Sequence, residues 1–286
     1  MKKVFLTGAR GFVGGYFLKK YNHCYSIQTF SFLKDDFSMI HLKDMDVVVH
    51  LSALVHQMGG ASAEAYEDIN VIQTLALAYK AKESGVKHFI FMSTVKVYGE
   101  ESAEVYTETS SCNPQDEYGK SKLKAEMELQ KLEDDNFKVS IVRTPIVYGY
   151  GVKANLKNLM ALVDKVPVLP FGGIKNKRSL TYVGNLCALI NCIIQKPQHG
   201  IFLASDDKAL STTQLIEAIA HIKKRGCWLF ALPFFPYLLK WLKPSFYKRL
   251  FEILEVDNSE TKRLLAYENP YTVEEGIGFM VRGEKC

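Results

Sequence analysis

The stretch KKVFLTGARGFVGGYFLKKY, residues 2–21, decides how the rest of the chain is read. It opens with a short apolar run at 4–7, turns through Gly8, Gly11 and Gly14, and continues as an amphipathic run at 12–20. A strand, a G-x-x-G-x-x-G turn and a helix together suit a pyrophosphate. The glycines let backbone N–H groups approach it, and the helix N-terminus favours its charge. Gly8, Arg10, Gly11, Phe12, Val13 and Gly14 are therefore candidate dinucleotide-binding residues. No Gly-Lys-Ser/Thr follows, so the turn is not a P-loop.

Outward from this turn, strand-like runs at 25–30, 46–53 (DVVVHLSA), 88–94 (HFIFMST) and 138–144 (KVSIVRT) alternate with helical runs at 64–84 and 117–132. Nearly continuous apolar strands suit a sheet covered on both faces. Alternation with short links predicts right-handed βαβ units. The expected fold class is α/β: a Rossmann-type doubly wound parallel sheet over 1–150, forming the NAD(P)-binding domain. After Gly151, prolines and an FGG turn at 171–173 predict a smaller substrate-binding lobe over 151–286. A helix near 185–195 is expected to pack back on the large lobe.

The bulk numbers narrow the function classes. At 286 residues, 48% hydrophobic and 23% charged, the chain has the composition of a soluble globular protein. Its net charge of +5 is spread along the chain without a block of like charges, so no nucleic-acid partner is expected. The six cysteines show neither C-x-x-C nor Cys/His ligand spacing, which predicts free thiols, no metal and a cytoplasmic location. Glycines and Arg10 interrupt the first apolar run, which therefore does not read as a signal peptide. The uncharged stretch 226–239 is too short to span a bilayer and contains Pro233 and Pro236. The stretch WLFALPFFPYLLKWLKPSFYKRLFEIL, 228–254, has a composition compatible with a membrane interface. Core helices of the small lobe, broken by prolines, are the preferred reading of it.

EYGKSKLKAE sets Tyr118 and Lys122 four apart, on one face of a helix. A lysine ammonium beside a phenol favours phenolate and is expected to lower a pKa of about 10. Such a tyrosine can exchange the proton of a sugar hydroxyl as hydride leaves or reaches its carbon. FIFMSTVKVYG, 89–99, ends a buried strand at Ser93 and Thr94. Strand carboxyl ends line the ligand crevice of such sheets, so a hydroxyl there can hydrogen-bond the reacting oxygen.

These motifs, together with DVVVHLSA and VRTPIVYG, resemble the extended short-chain dehydrogenase/reductase superfamily over at least residues 1–200. That superfamily comprises nucleotide-sugar epimerases, dehydratases and reductases. The resemblance implies Thr94, Tyr118 and Lys122 as the catalytic set, with Lys122 also on the nicotinamide ribose. It implies Leu51, Ser52, Ala53, Ser93, Thr144 and Pro145 beside the cofactor, LSA standing where Leu-Ala-Ala is usual. Asn70 matches a position supporting the active-site strand.

Asn155 can hydrogen-bond phosphate oxygens, and Arg178 can clamp a diphosphate bidentately. Both match substrate positions of the superfamily, and His56 and Lys96 are further candidate substrate contacts. MSTVKVYGE with NKRSLTYVGNL is most similar to a bacterial subgroup acting at C4 of UDP-N-acetylhexosamines for surface polysaccharides. Dehydratases carry an acidic pair where Val95 and Lys96 stand. A homodimer through the helices at 64–84 and 117–132 is implied in the same way.

The choice of cofactor turns on YSIQTFSFLKDDF, 25–37. Ser31 stands at the expected tip of the second strand, where NAD users of the superfamily usually carry aspartate. Lys34 or Arg10 can neutralise a 2′-phosphate, while Asp36 and Phe37 match the pair near the adenine. This favours NADP(H) and a reductase of a UDP-linked 4-keto-6-deoxy-HexNAc. A longer strand makes Asp35 the ribose acid, which restores NAD and a UDP-sugar (GlcNAc/Glc) 4-epimerase. A non-enzymatic NADP-binding sensor is the reading from another class. An intact Thr94/Tyr118/Lys122 set argues against it.

Overall fold

Alternating residues of the first strand face opposite sides, and each side finds its own core. The computed structural model describes residues 1–55, 61–100 and 104–284. The large lobe begins β1 (Lys3–Thr7), α1 (Phe12–Tyr21), β2 (Ser26–Phe30), β3 (Val47–His50), α2 (Ala63–Tyr66), α3 (Gln73–Glu83), β4 (His88–Thr94), α4 (Glu117–Lys131) and β5 (Lys138–Thr144). The chain continues through β6 (Ile146–Tyr148), α5 (Ala154–Lys165), β7 (Val168–Leu169), β8 (Leu180–Tyr182), α6 (Val183–Gln195) and β9 (Gly200–Leu203). The last elements are α7 (Thr212–Ile222), β10 (Trp228–Leu229), α8 (Phe235–Leu242), α9 (Pro244–Phe251), α10 (Ser259–Leu265) and α11 (Val273–Arg282).

Six strands form one parallel sheet in the order β2-β1-β3-β4-β5-β9. Phe5, Val48, Phe89 and Ile141 point to one face and pack with Leu77, Ala78, Ala125 and Leu129 of α3 and α4. Val4, Leu6, Val49 and Ile90 point to the other and join Phe17, Ile190, Leu156, Phe171, Ile216 and Ile277 in one continuous cluster. The two-residue period of the strands thus splits the core into two layers. The second layer runs on into the smaller lobe, so the lobes share a core.

Two features lie outside the expected pattern. The chain returns to the large sheet through β9, which pairs with β5 from Ser140↔Gly200 to Arg143↔Leu203. The helix at 64–84 is not uniform: a π-helical turn, Glu67–Ile72, separates α2 from α3. Helix α6 packs on α1, where the Cys187 thiol lies 3.7 Å from the Val13 carbonyl oxygen.

The expectation of ordinary core helices over 228–254 fails for α8. None of its residues is buried, because α8 lies on the outside of the lobe and only one side of it meets the residues beneath. Phe235 packs edge-on to Phe171 and tilted against Phe251, while Phe234, Tyr237 and Trp241 face solvent.

Candidate active site

β1 pairs with both β2 and β3, and the sheet order reverses there, opening a crevice at the strand carboxyl ends. Gly8 sits in this crevice at φ +72°, and a Cβ on it would lie 2.8 Å from the Leu51 carbonyl carbon. A Cβ on Gly14 would lie 2.2 Å from the Gly8 oxygen. Gly11 is the N-cap of α1, and no side chain caps that helix, so the first-turn N–H groups remain open to an anion. This cradle fits a dinucleotide pyrophosphate. Leu51, Ser52 and Ala53 follow β3 beside it, and the Ser52 N–H donates to Thr7 Oγ1 at 3.2 Å.

The tip of β2 combines both expectations for the ribose. The strand ends at Phe30, leaving Ser31 at its tip, as the shorter reading requires. A turn then folds Asp35 back: its carboxylate accepts the Ser31 N–H at 2.8 Å, and the Lys34 N–H donates to the Ser31 carbonyl at 2.9 Å. An acid therefore stands at the strand tip although the strand is short. Asp36 caps the 3₁₀ turn Phe37–Met39, and the Ser38 N–H holds its carboxyl below the ordinary value. Phe37 stacks on Phe32, with the Lys80 ammonium 5.4 Å from the Phe37 ring centroid. Arg10 and Lys34 are exposed.

Asn70, fully buried in the π-helical turn, ties three segments together. Its Oδ1 accepts the Leu54 N–H at 2.8 Å, while its Nδ2 donates to the Leu54 carbonyl and to Ser121 Oγ, each at 3.0 Å. Ser121 Oγ in turn donates to the Tyr118 carbonyl at 2.9 Å. The extra residue of a π turn rotates a side chain out of helical register, which is why such turns gather at functional sites.

Thr94 ends β4, its Oγ1 accepting the Lys96 N–H at 3.2 Å, which leaves its own O–H to donate. Helix α4 starts hard against this turn. Asp116 caps it by accepting the Gly119 N–H at 2.7 Å, and a Cβ on Gly119 would lie 2.9 Å from the Lys96 carbonyl oxygen. Lys96 is held by Asp116 and by Glu100, the latter at 3.4 Å. Thr94 thus ends β4, while Tyr118 and Lys122 lie on the first two turns of α4, with the Lys122 ammonium against Phe91 of β4. Thr144 ends the neighbouring β5 in register with Thr94, and Pro145 follows it.

The charge balance differs from the expected lysine-activated phenol. Tyr118 and Lys122 make no direct hydrogen bond: the phenol ring lies 6.2 Å from that of Tyr66, and the Lys122 ammonium lies 3.8 Å from the Phe91 ring centroid. Burial raises the Tyr118 pKa, with Asp116 and Tyr66 adding to the rise. Burial pushes Lys122 down to about 7, opposed by Glu126 one turn further on. Burial thus dominates both groups, the Lys122 ammonium being directed at Phe91 and the Tyr118 ring at Tyr66.

Sequence reasoning missed the charged floor beneath this site. Glu126 and Arg143, both buried, form a bidentate pair at 2.6 Å and 3.1 Å to Oε2, and Ser93 Oγ donates to Glu126 Oε1. Arg143 also lies 4.7 Å over the Tyr98 ring. The available signal was the i, i+4, i+8 spacing of Tyr118, Lys122 and Glu126 on one helix face.

Asn155 and Arg178 line a cavity of about 340 Å³ in the smaller lobe. Its walls are mainly apolar, with Leu156, Leu180, Leu210 and Phe246 among them. Arg249, unanticipated from the sequence, lines it too and donates to Asn155 Oδ1 at 3.3 Å. Arg178 Nη1 donates to the Lys248 and Glu252 carbonyls, each at 3.3 Å, which fixes the guanidinium against the end of α9. His56 lies outside the described residues.

Comparison with known proteins decides the family. The profile of the NAD dependent epimerase/dehydratase family matches residues 4–203, the span that carries the cradle and the Thr94/Tyr118/Lys122 set. The chain belongs to that family. Among relatives, it is 37% identical to a UDP-glucose 4-epimerase of Vibrio cholerae, over 96% of this chain and 93% of that one. It is 28% identical to the N-acetyl-alpha-D-glucosaminyl-diphospho-ditrans,octacis-undecaprenol 4-epimerase of Escherichia coli O157:H7, over 76% and 71% of the two chains. The fold matches a UDP-N-acetylglucosamine 4-epimerase of Methanobrevibacter ruminantium M1 solved with UDP-N-acetylmuramic acid, at TM-score 0.81. That likeness covers 99% and 97% of the chains at 19% identity. As an epimerase/dehydratase family member the protein is a nucleotide-sugar enzyme with an NAD(P) site.

Proposed function

We propose that the protein is a UDP-sugar 4-epimerase that retains NAD and acts on a UDP-linked hexose or N-acetylhexose. The observation that carries this reading is the Asp35 carboxylate folded back to the tip of β2. A carboxylate there can bind a ribose 2′-hydroxyl and repels a 2′-phosphate. Full-length similarity to the Vibrio cholerae UDP-glucose 4-epimerase supports the same choice.

A bound NAD supplies hydride acceptance and return at the sugar C4. Gly8, Gly11 and Gly14 would hold its pyrophosphate, Asp35 its adenosine ribose and Lys122 its nicotinamide ribose. Thr94 donates to the C4 oxygen, which orients the hydroxyl. Tyr118 takes the hydroxyl proton as C4 is oxidised and gives it back on reduction, so one residue serves as base and acid. Tyr118 can act as base only as the phenolate, after its own proton has left to solvent. Burial opposes that ionisation, and the positive charge of a bound NAD would favour it. Arg178, Arg249 and Asn155 would hold the diphosphate, and the apolar cavity floor would take the nucleoside.

Exposed Lys34 and Arg10 favour the second reading, an NADPH-dependent reductase of a UDP-4-keto-6-deoxy-HexNAc. Denaturing the purified protein and weighing the released dinucleotide separates the two. Stoichiometric NAD is expected, with Tyr118→Phe keeping the NAD while interconversion of the C4 epimers falls by at least about a hundredfold. Empty protein that binds NADPH more tightly than NADH and oxidises it with the 4-keto sugar would overturn the epimerase. Dinucleotide binding with neither activity, and biological function unaffected by Tyr118→Phe, would leave a sensor.

A further inference from the structure

Helix α8 is apolar on both sides, and only one side has a partner. Phe235 packs against Phe171 and Phe251 of the lobe. On the other side Phe234, Tyr237, Leu238, Trp241 and Leu242 fall at i, i+3, i+4, i+7 and i+8, a stripe that in a surface helix normally faces the core. Here it faces water: Phe234 is 80% exposed, Tyr237 75% and Trp241 81%. The chain has two tryptophans, and the other, Trp228, is 68% exposed at the start of the same segment. Individual exposed apolar residues need no explanation, but a contiguous aromatic stripe marks a contact surface.

We propose that the α8–α9 hairpin docks the protein on an anionic lipid bilayer surface. Charge selects this occupant. The hairpin itself, 235–251, carries Lys240, Lys243, Lys248 and Arg249 and no acidic residue, with Lys248 lying 3.9 Å from Glu100. Lys240 and Lys243 lie at the end of the stripe and in the turn between the two helices, with the Lys240 ammonium 5.3 Å from the Tyr247 ring centroid. Tryptophan, tyrosine and lysine around an apolar stripe suit the headgroup layer, where rings meet the acyl boundary and ammonium groups meet phosphates. A second copy of the chain fits less well. A two-fold contact would set the hairpin's cations against their own copies with no acid in the segment to offset them. No described helix is long and apolar enough to cross a membrane, so the contact lies in the interface plane. Helix α9 also lends Phe246, Arg249 and Leu250 to the wall of the 340 Å³ cavity, so docking sets that cavity beside the bilayer.

Both tryptophans lie in this segment, so intrinsic tryptophan emission reports on it alone. The full chain is mixed with phosphatidylcholine vesicles, with and without phosphatidylglycerol, and followed by flotation and emission. Co-flotation with the anionic vesicles, a blue shift, and weakening by salt are expected. Lys240→Glu with Lys243→Glu should bind about tenfold more weakly or worse, and Phe234→Ser with Trp241→Ser should lose binding. Both variants should keep the wild-type circular dichroism and bound dinucleotide. Absence of flotation and blue shift at every composition would overturn the proposal. So would a wild-type dimer that ignores vesicles and falls to monomer in the Phe234→Ser/Trp241→Ser variant, which would assign the stripe to a second copy.

Discussion

Lys122 is the residue whose environment says most about how the site works. It is almost fully buried, with its ammonium on the Phe91 ring and its pKa pushed from 10.5 to about 7. Between pH 7 and 10.5 the unfolded chain holds this proton and the folded chain has released it. Stability from this group therefore rises with pH through that window, and the whole penalty stands below pH 7. Lys122→Met should raise the melting temperature at pH 6.5 and flatten the rise in stability between pH 7 and 10, while turnover is lost. A thermal-unfolding series across pH tests this, and a lower melting temperature at pH 6.5 would contradict it. Such a trade of stability for chemistry is expected where a charge is kept in a dry site.

At the scale of an element, α4 presents Tyr118, Lys122 and Glu126 successively along one face, while Asp116 caps its start. The Glu126–Arg143 pair then clamps the helix to β5, and Ser93 links it to β4. Removing one partner leaves the other charged and buried, so Glu126→Gln should cost about 3–5 kcal/mol. Arg143→Met should cost a similar amount. Replacing both residues with apolar ones should cost less than the two single changes together, because neither charge is then left alone. Urea denaturation of the two single variants and the double variant measures that coupling, and simple additivity would refute the clamp.

At the scale of the whole molecule, the sheet is held in part by histidines that burial keeps neutral near pH 7. His50 has its ring nitrogens 2.7 Å from Thr7 Oγ1 and 3.0 Å from Thr74 Oγ1, linking β1, β3 and α3. His88 lies 2.7 Å from Ser140 Oγ, joining β4 to β5. Burial pushes His50 down to about 3 and His88 to about 4, so each stays neutral while its unfolded counterpart takes a proton near 6.5. The unfolded chain therefore binds more protons as pH falls, and stability should drop by up to about 2.7 kcal/mol per pH unit between about pH 6 and 4. Urea midpoints over that range measure the slope. His50→Gln should reduce it by about one proton, and an unchanged slope would remove His50 as a cause.

Much of this was legible in the sequence because it depends on local spacing. The strand–glycine turn–helix, the two-residue period of the strands and the four-residue step from Tyr118 to Lys122 predict the parallel sheet and place the candidate residues along it. Strand 138–144 and helix 117–132 fall within a residue of their expected ends for that reason. Other features depend on which segments meet and which stay dry. Asp35 reaches the tip of β2 through a turn that no periodicity announces. Glu126 and Arg143 find each other from separate elements, and Arg249 joins Asn155 across 94 residues. Helix α8 lies on the outside of the smaller lobe with none of its residues buried, so an apolar segment that composition assigns to a core was left on the surface. Composition and spacing determined the fold and the reactive groups. The tertiary structure alone decided their desolvation, their charge partners and their exposure, because burial and long-range contact are properties of the assembled chain.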